Sequence, residues 1–105
     1  MTIGHFDVFP NPSKQGSQDR PFVVVVQSDY LHVLPTRVVV PLVIEGGIRP
    51  IHRLNPQFEI EGRKLYFHPV EIAALPVRAL RSPVANLEKY RYELISALDL
   101  VFTGI

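Results

Sequence analysis

The sequence predicts a mostly β chain, an antiparallel sheet packed against one helix at the C-terminal end. Three observations predict it. The runs "FVVVV" and "RVVVPLV" are dense in β-branched residues, whose stiff side chains suit a pleated surface better than a helix. Ten prolines are spread along the chain without clustering, and proline, which has no N–H to donate, collects at strand ends, edges and turns. From Asn86 onward the apolar period changes from two to about 3.6.

Each element follows from its local pattern. "IGHFDVF" sets Phe6 and Val8 on one face and Asp7 on the other, a strand signal. "PNPSKQGSQDRP" is rich in Pro, Gly, Ser and charge and reads as a loop. "FVVVVQSDY" does not alternate, so it predicts a strand covered on both faces. "TRVVVPLVI" predicts a second such strand, with Pro41 near an edge or bend. "SDYLHVLP" between them is a connection that carries two large apolar residues, Tyr30 and Leu31. "GGIRPIHRLNP" reads as irregular. "QFEIEGRKLYFHP" predicts a hairpin, with Phe58 and Ile60 on one face, Glu59 and Glu61 on the other, and a turn at Gly62. "VEIAAL" suits a helical turn or a short strand, and "PVRAL" a last strand. The helix spans about 86–103. At about 100° per residue its stripe is Leu87, Leu94, Leu98, Val101 and Ile105. Ser82 or Asn86 suits its cap and Gly104 its end. Leu100 projects away from the stripe, which suggests a second surface.

Composition bounds the function. The 105 residues have room for one domain, expected over 1–105. They are 47% hydrophobic and 20% charged, a globular balance. A net charge of +1 argues against nucleic acid as a direct partner. The absence of cysteine excludes disulfides and thiolate zinc sites and suits a reducing compartment. With no secretion signal and no apolar run of bilayer length, the expectation is a soluble cytoplasmic protein without membrane contact.

Catalytic patterns are missing. No phosphate-binding glycine loop, nucleophile elbow or zinc-binding helix motif occurs. His5, His32, His52 and His68 share no metal-ligand spacing, so neither a metal nor a cofactor is expected. Glu59 and Glu61 on a solvated hairpin face lack the contrasting environments that acid–base work by paired carboxylates needs. Arg78, Arg81 and Arg91 show no interleaved stacking aromatics. The residues alone therefore predict a protein that binds other proteins, not an enzyme.

A family resemblance sharpens this. "FVVVVQSDYL", "RVVVPLV", "LNP", "ALPV", and "VANL" leading to "ALDLVFTGI" occur in the order seen in the CcdB toxins of toxin–antitoxin modules. The chain resembles that family over nearly its whole length, most specifically at "VQSD", "R-x-V-V-P-L" and the final "F-x-G-I". The resemblance implies the SH3-like, mostly antiparallel fold shared by CcdB, Kid and MazF toxins, with a C-terminal helix. It implies a homodimer that binds the A subunit of DNA gyrase and traps the cleaved-DNA complex. A CcdA-like antitoxin would neutralise it and join it in repressing their own operon, with operator DNA met only through the antitoxin, a system that serves plasmid maintenance. Carried onto this chain, the gyrase-binding residues are Tyr30, Leu31, His32, Asp99, Thr103, Gly104 and Ile105. The dimer interface falls on Leu100, Val101, Phe102 and Ile105, so the apolar end would be sandwiched by a sister subunit and then by the target. Loop residues Asn11 to Arg20 would take part in antitoxin binding.

The chain departs from the family pattern at Thr103, where the family's gyrase poisons carry tryptophan, and at Asp99, where they carry asparagine. The alternative is a CcdB-fold protein that binds an antitoxin but poisons gyrase weakly or not at all. A nuclease of the Kid and MazF kind is a further one.

Overall fold

The computed structural model describes residues 3–105; Met1 and Thr2 of the expected 1–105 domain lie outside the described residues. Seven strands appear in the order β1 (Asp7–Pro10), β2 (Phe22–Val25), β3 (Thr36–Ile44), β4 (Gln57–Ile60), β5 (Arg63–Phe67), β6 (Ala73–Pro76) and β7 (Ala85–Asn86), followed by the helix α1 (Arg91–Thr103). All pair antiparallel, in the spatial order β4-β5-β3-β2-β1-β7, with β6 added on β3. The sheet curls into a nearly closed barrel with one C-terminal helix.

β3 carries this arrangement. One of its edges pairs with β2, from Val39↔Val25 to Leu42↔Phe22. The other edge is divided: Thr36 to Val39 pair with β6, and Leu42 to Ile44 pair with β5. Pro41 lies in the gap between those two partners. Its missing donor therefore costs no ladder bond, and its carbonyl still accepts from the His68 N–H at 3.1 Å.

The valine runs are covered on both faces, as their lack of alternation predicts. Every residue of β2 is buried. Phe22 and Val24 face a core shared with Phe6, Val8, Val40, Leu42, Phe67 and the helix residues Leu94 and Ala97. Val23 and Val25 face the opposite way, onto Ile3, Phe9, Val39 and Leu80. The β4–β5 hairpin turns through Glu61 and Gly62 at φ of 52° and 78°, the pair of positive values that a tight two-residue turn requires. Glu61 thus belongs to the turn, and of the two glutamates only Glu59 lies on the exposed strand face, beside Gln57.

Three expectations need correction. The helix begins at Arg91, not near 86. Asn86 instead lies in β7, paired with Asp7 of β1, and its Oδ1 accepts from the Glu88 N–H at 2.7 Å, just ahead of a 3₁₀ turn over Glu88–Tyr90. Strand pairing and a side-chain acceptor outcompete the helix there, and Ser82 caps no helix among the described residues. "PVRAL" is no strand; β6 ends at Pro76 and a 3₁₀ turn, Val77–Ala79, follows. The apolar stripe is sound at Leu87 and Leu94, which are buried, and half-covered at Leu98 and Val101, but Ile105 is 75% exposed. The helix runs past the edge of the core, so its last turn has no sheet beneath it. Leu100 is half-buried. "VEIAAL" supplies both forms, a 3₁₀ turn over Pro69–Glu71 and then β6. Among the described residues no helix is long and apolar enough to cross a membrane.

Leu94, fully buried between helix and sheet, anchors α1. Leu94→Ala is expected to destabilise the fold by about 2–5 kcal/mol, and Glu59→Ala by less than about 0.5 kcal/mol. Urea unfolding with unchanged slope checks both.

Candidate protein-docking surface

The β2–β3 connection is built from two buried polar side chains, one at each root. Gln27 donates from Nε2 to the Leu31 and Thr36 carbonyls, each at 3.2 Å, while its Oε1 accepts from the Val38 N–H at 3.0 Å. Arg37, 7% exposed, donates from Nη1 to the Leu34 and Thr36 carbonyls at 2.8 and 3.0 Å and from Nη2 to the His32 carbonyl at 2.9 Å. Its charge is met by three carbonyl dipoles of the loop, which answers the desolvation of a buried cation.

Local capping completes the loop. Ser28 Oγ accepts from the Tyr30 N–H at 3.1 Å and opens a 3₁₀ turn over Asp29–Leu31. The Asp29 Oδ1 accepts from the His5 N–H at 2.9 Å. His32 Nδ1 lies 3.0 Å from the Asp29 carbonyl, which accepts only, so the ring proton sits on Nδ1. With the carbonyls turned inward onto Gln27 and Arg37, the apolar side chains turn outward. Tyr30 is 90% and Val33 78% exposed, and Leu31 and Leu34 are nearly half exposed.

The second exposed segment is the end of α1. Gly104 adopts φ of 75° and its N–H donates to the Asp99 and Leu100 carbonyls, both at 3.2 Å, a left-handed helix end that favours glycine. Thr103 Oγ1 donates to the Asp99 carbonyl at 2.8 Å, which ties its hydroxyl to its own helix. Asp99, Phe102, Thr103, Gly104 and Ile105 are exposed, and Leu100 and Val101 are half-buried.

Of the residues expected to meet gyrase or a sister subunit, Tyr30, Leu31, His32, Asp99, Phe102, Thr103, Gly104 and Ile105 are exposed and Leu100 and Val101 half-buried, in two segments. Within one chain these share no hydrogen bond among the described residues. The sequence reading missed the residues that hold the first segment, Gln27 and Arg37. The signal was available: Gln27 directly follows the apolar run Phe22–Val26, and Arg37 directly precedes the run that starts at Val38.

The Asn11–Arg20 loop is also tied down. Asn11 Nδ2 donates to the Arg20 carbonyl at 2.8 Å. Arg20 meets Glu71 in a two-pronged ion pair, Nε to Oε1 at 2.5 Å and Nη2 to Oε2 at 2.9 Å. That bond, against partial burial and aided by the charges of Arg20 and His68, holds the Glu71 carboxyl below its ordinary range.

Two predictions follow from this geometry. Arg37→Lys, which cannot reach three carbonyls in one plane, is expected to lower stability by about 1–3 kcal/mol and to speed amide exchange in residues 28–36. A depressed carboxyl stabilises the fold above its unfolded value, about pH 4.3, and loses that contribution as pH falls through the folded value. The stability difference between the wild type and Glu71→Gln should therefore be present near neutral pH and vanish in acid, read from urea midpoints across that range.

A family model described as "CcdB protein" matches residues 5–104. No curated protein matches the chain. The match covers both exposed segments up to Gly104, the Gln27 and Arg37 roots and every strand of the sheet. The chain belongs to the CcdB family, toxins of toxin–antitoxin systems.

Proposed function

We propose that this chain is itself a gyrase poison: a homodimer that docks on the gyrase A subunit through Tyr30, Leu31 and His32 together with Asp99, Thr103, Gly104 and Ile105, and traps the cleaved-DNA complex. The observation that carries the reading is an exposed apolar loop whose backbone is already held by buried side chains. Large apolar groups that stay ordered while facing water lose little entropy when a partner covers them. Tyr30 supplies the kind of aromatic contact that dominates interfaces.

The dimer supplies what one chain lacks. Phe102 and Ile105 are exposed, and Leu100 and Val101 are only half-buried. A second copy packed on this surface about a two-fold axis covers it and brings two copies of each helix end into one patch. The chemistry is binding alone, with no bond made or broken by the protein. In this reading a CcdA-like antitoxin, engaging in part the Asn11–Arg20 loop, covers the toxin in the cytoplasm, and the pair represses its own operon, with the antitoxin contacting the DNA.

Thr103 presents a methyl group where tryptophan would add a ring, so contact falls more heavily on Tyr30, Leu31 and Ile105. Expression without antitoxin is expected to arrest growth with double-strand DNA breaks. Growth without arrest, or arrest with cleaved messenger RNA and intact DNA, contradicts the proposal. Thr103→Trp is expected to strengthen inhibition of supercoiling by about 30-fold or more, the scale of one aromatic hot spot. A variant no more inhibitory than the wild type would put the site elsewhere.

A further inference from the structure

The loop between β3 and β4, residues 45–56, lies outside both exposed segments, yet it reaches one of them. Its last part is a closed turn. The Leu54 and Asn55 N–H groups both donate to the Ile51 carbonyl, at 3.1 and 3.0 Å, and the Ile51 N–H donates back to Asn55 Oδ1 at 2.9 Å. Asn55, itself buried, donates from Nδ2 to the Phe67 carbonyl at 2.9 Å. The turn is therefore fixed to β5, inside the sheet.

Arg53 sits in that turn at φ of 71°, a left-handed conformation that side chains disfavour. From there its guanidinium spans two elements. Nε donates to Ser96 Oγ at 2.8 Å, on the outward face of α1. Nη2 donates to the Ile105 carbonyl oxygen. Ile105 makes no other hydrogen bond among the described residues, and it follows Gly104, the most freely pivoting kind of residue. The fork of Arg53 is what ties the last residue to the body of the fold.

We propose that Arg53 is a positioning residue for the segment Thr103–Ile105. Anchored through Asn55 to β5 and through Ser96 to α1, it holds that segment in one orientation for docking. The fold does not need it for stability: Arg53, Ile105 and the hydroxyl of Ser96 all lie outside both cores. It presets the geometry of a contact residue, as buried Arg37 does for the Tyr30 loop by the same chemistry, a guanidinium donating to backbone carbonyls. The consequence for gyrase rests on the function proposed above; the ordering does not.

The test separates the two. Arg53→Gly removes the side chain, and glycine accepts the positive φ, so the variant should fold as well as the wild type. In the free protein, 15N relaxation should show Ile105 ordered in the wild type and flexible in Arg53→Gly, with an order parameter below about 0.6. Ser96→Ala, which removes one prong, should be intermediate. Supercoiling inhibition by Arg53→Gly should weaken by about 3- to 10-fold, the scale of ordering one segment on binding. A folded Arg53→Gly variant with Ile105 as ordered as before overturns the proposal, and so does lost order with unchanged inhibition. A wild type that leaves gyrase untouched overturns the function proposed above, and the relaxation data then decide the role of Arg53 alone.

Discussion

The constraint on which the structure depends is that one strand serves three others. β3 pairs with β2 along one edge and with β6 and then β5 along the other. From Val38 onward its residues are apolar and mostly buried, packed on both faces of the sheet, and stiff enough to favour an extended chain. Successive side chains alternate between two cores, one under α1 and one beneath Leu80. Proline is admissible at one place only, the changeover between β6 and β5, and Pro41 occupies it.

The same strand begins the candidate site. Arg37 is its second residue, and the charge it buries is neutralised by carbonyls of the connection that has just ended. The pairing that builds the barrel thereby fixes the loop that carries Tyr30. Leaving Tyr30, Val33 and Leu31 in water is unfavourable by the usual area argument, and a loop free to move would fold them back onto the surface. Gln27 and Arg37 prevent this by claiming the backbone. A shape held against the hydrophobic effect is what a docking surface for a large partner requires. At the helix end the problem is solved from the other side: α1 outruns the sheet, its left-handed turn at Gly104 closes the last carbonyls, and Arg53 fastens what remains.

What was legible in the sequence follows from the range of the interactions. β2 and β3 were legible because five apolar residues in a row (Phe22–Val26) and seven with one proline among them (Val38–Ile44) leave no other reading. The hairpin was legible because Glu61 and Gly62 are neighbours and their turn is local. The end of α1 was legible because Gly104 marks it. β6 and β7 were obscure because alanine, leucine and proline in four residues, or Ala85 and Asn86 alone, acquire strand geometry only from distant partners, β3 and β1. The start of α1 was misplaced because the apolar period continues through Leu87 while Asn86 is held by Asp7, nearly eighty residues away. The exposed residues of the site could be named from a family pattern, whereas Gln27, Arg37 and Arg53 act through backbone carbonyls that no motif displays.

In the function proposed above, two pre-set apolar segments, one on the β2–β3 connection and one at the end of α1, form a single docking platform for gyrase. Hydrogen exchange of the protein with and without the gyrase A subunit tests it most directly. The account predicts new protection confined to residues 28–36 and 99–105 on binding. Protection on the β4–β5 hairpin or the Asn11–Arg20 loop instead, with both segments unchanged, would contradict it.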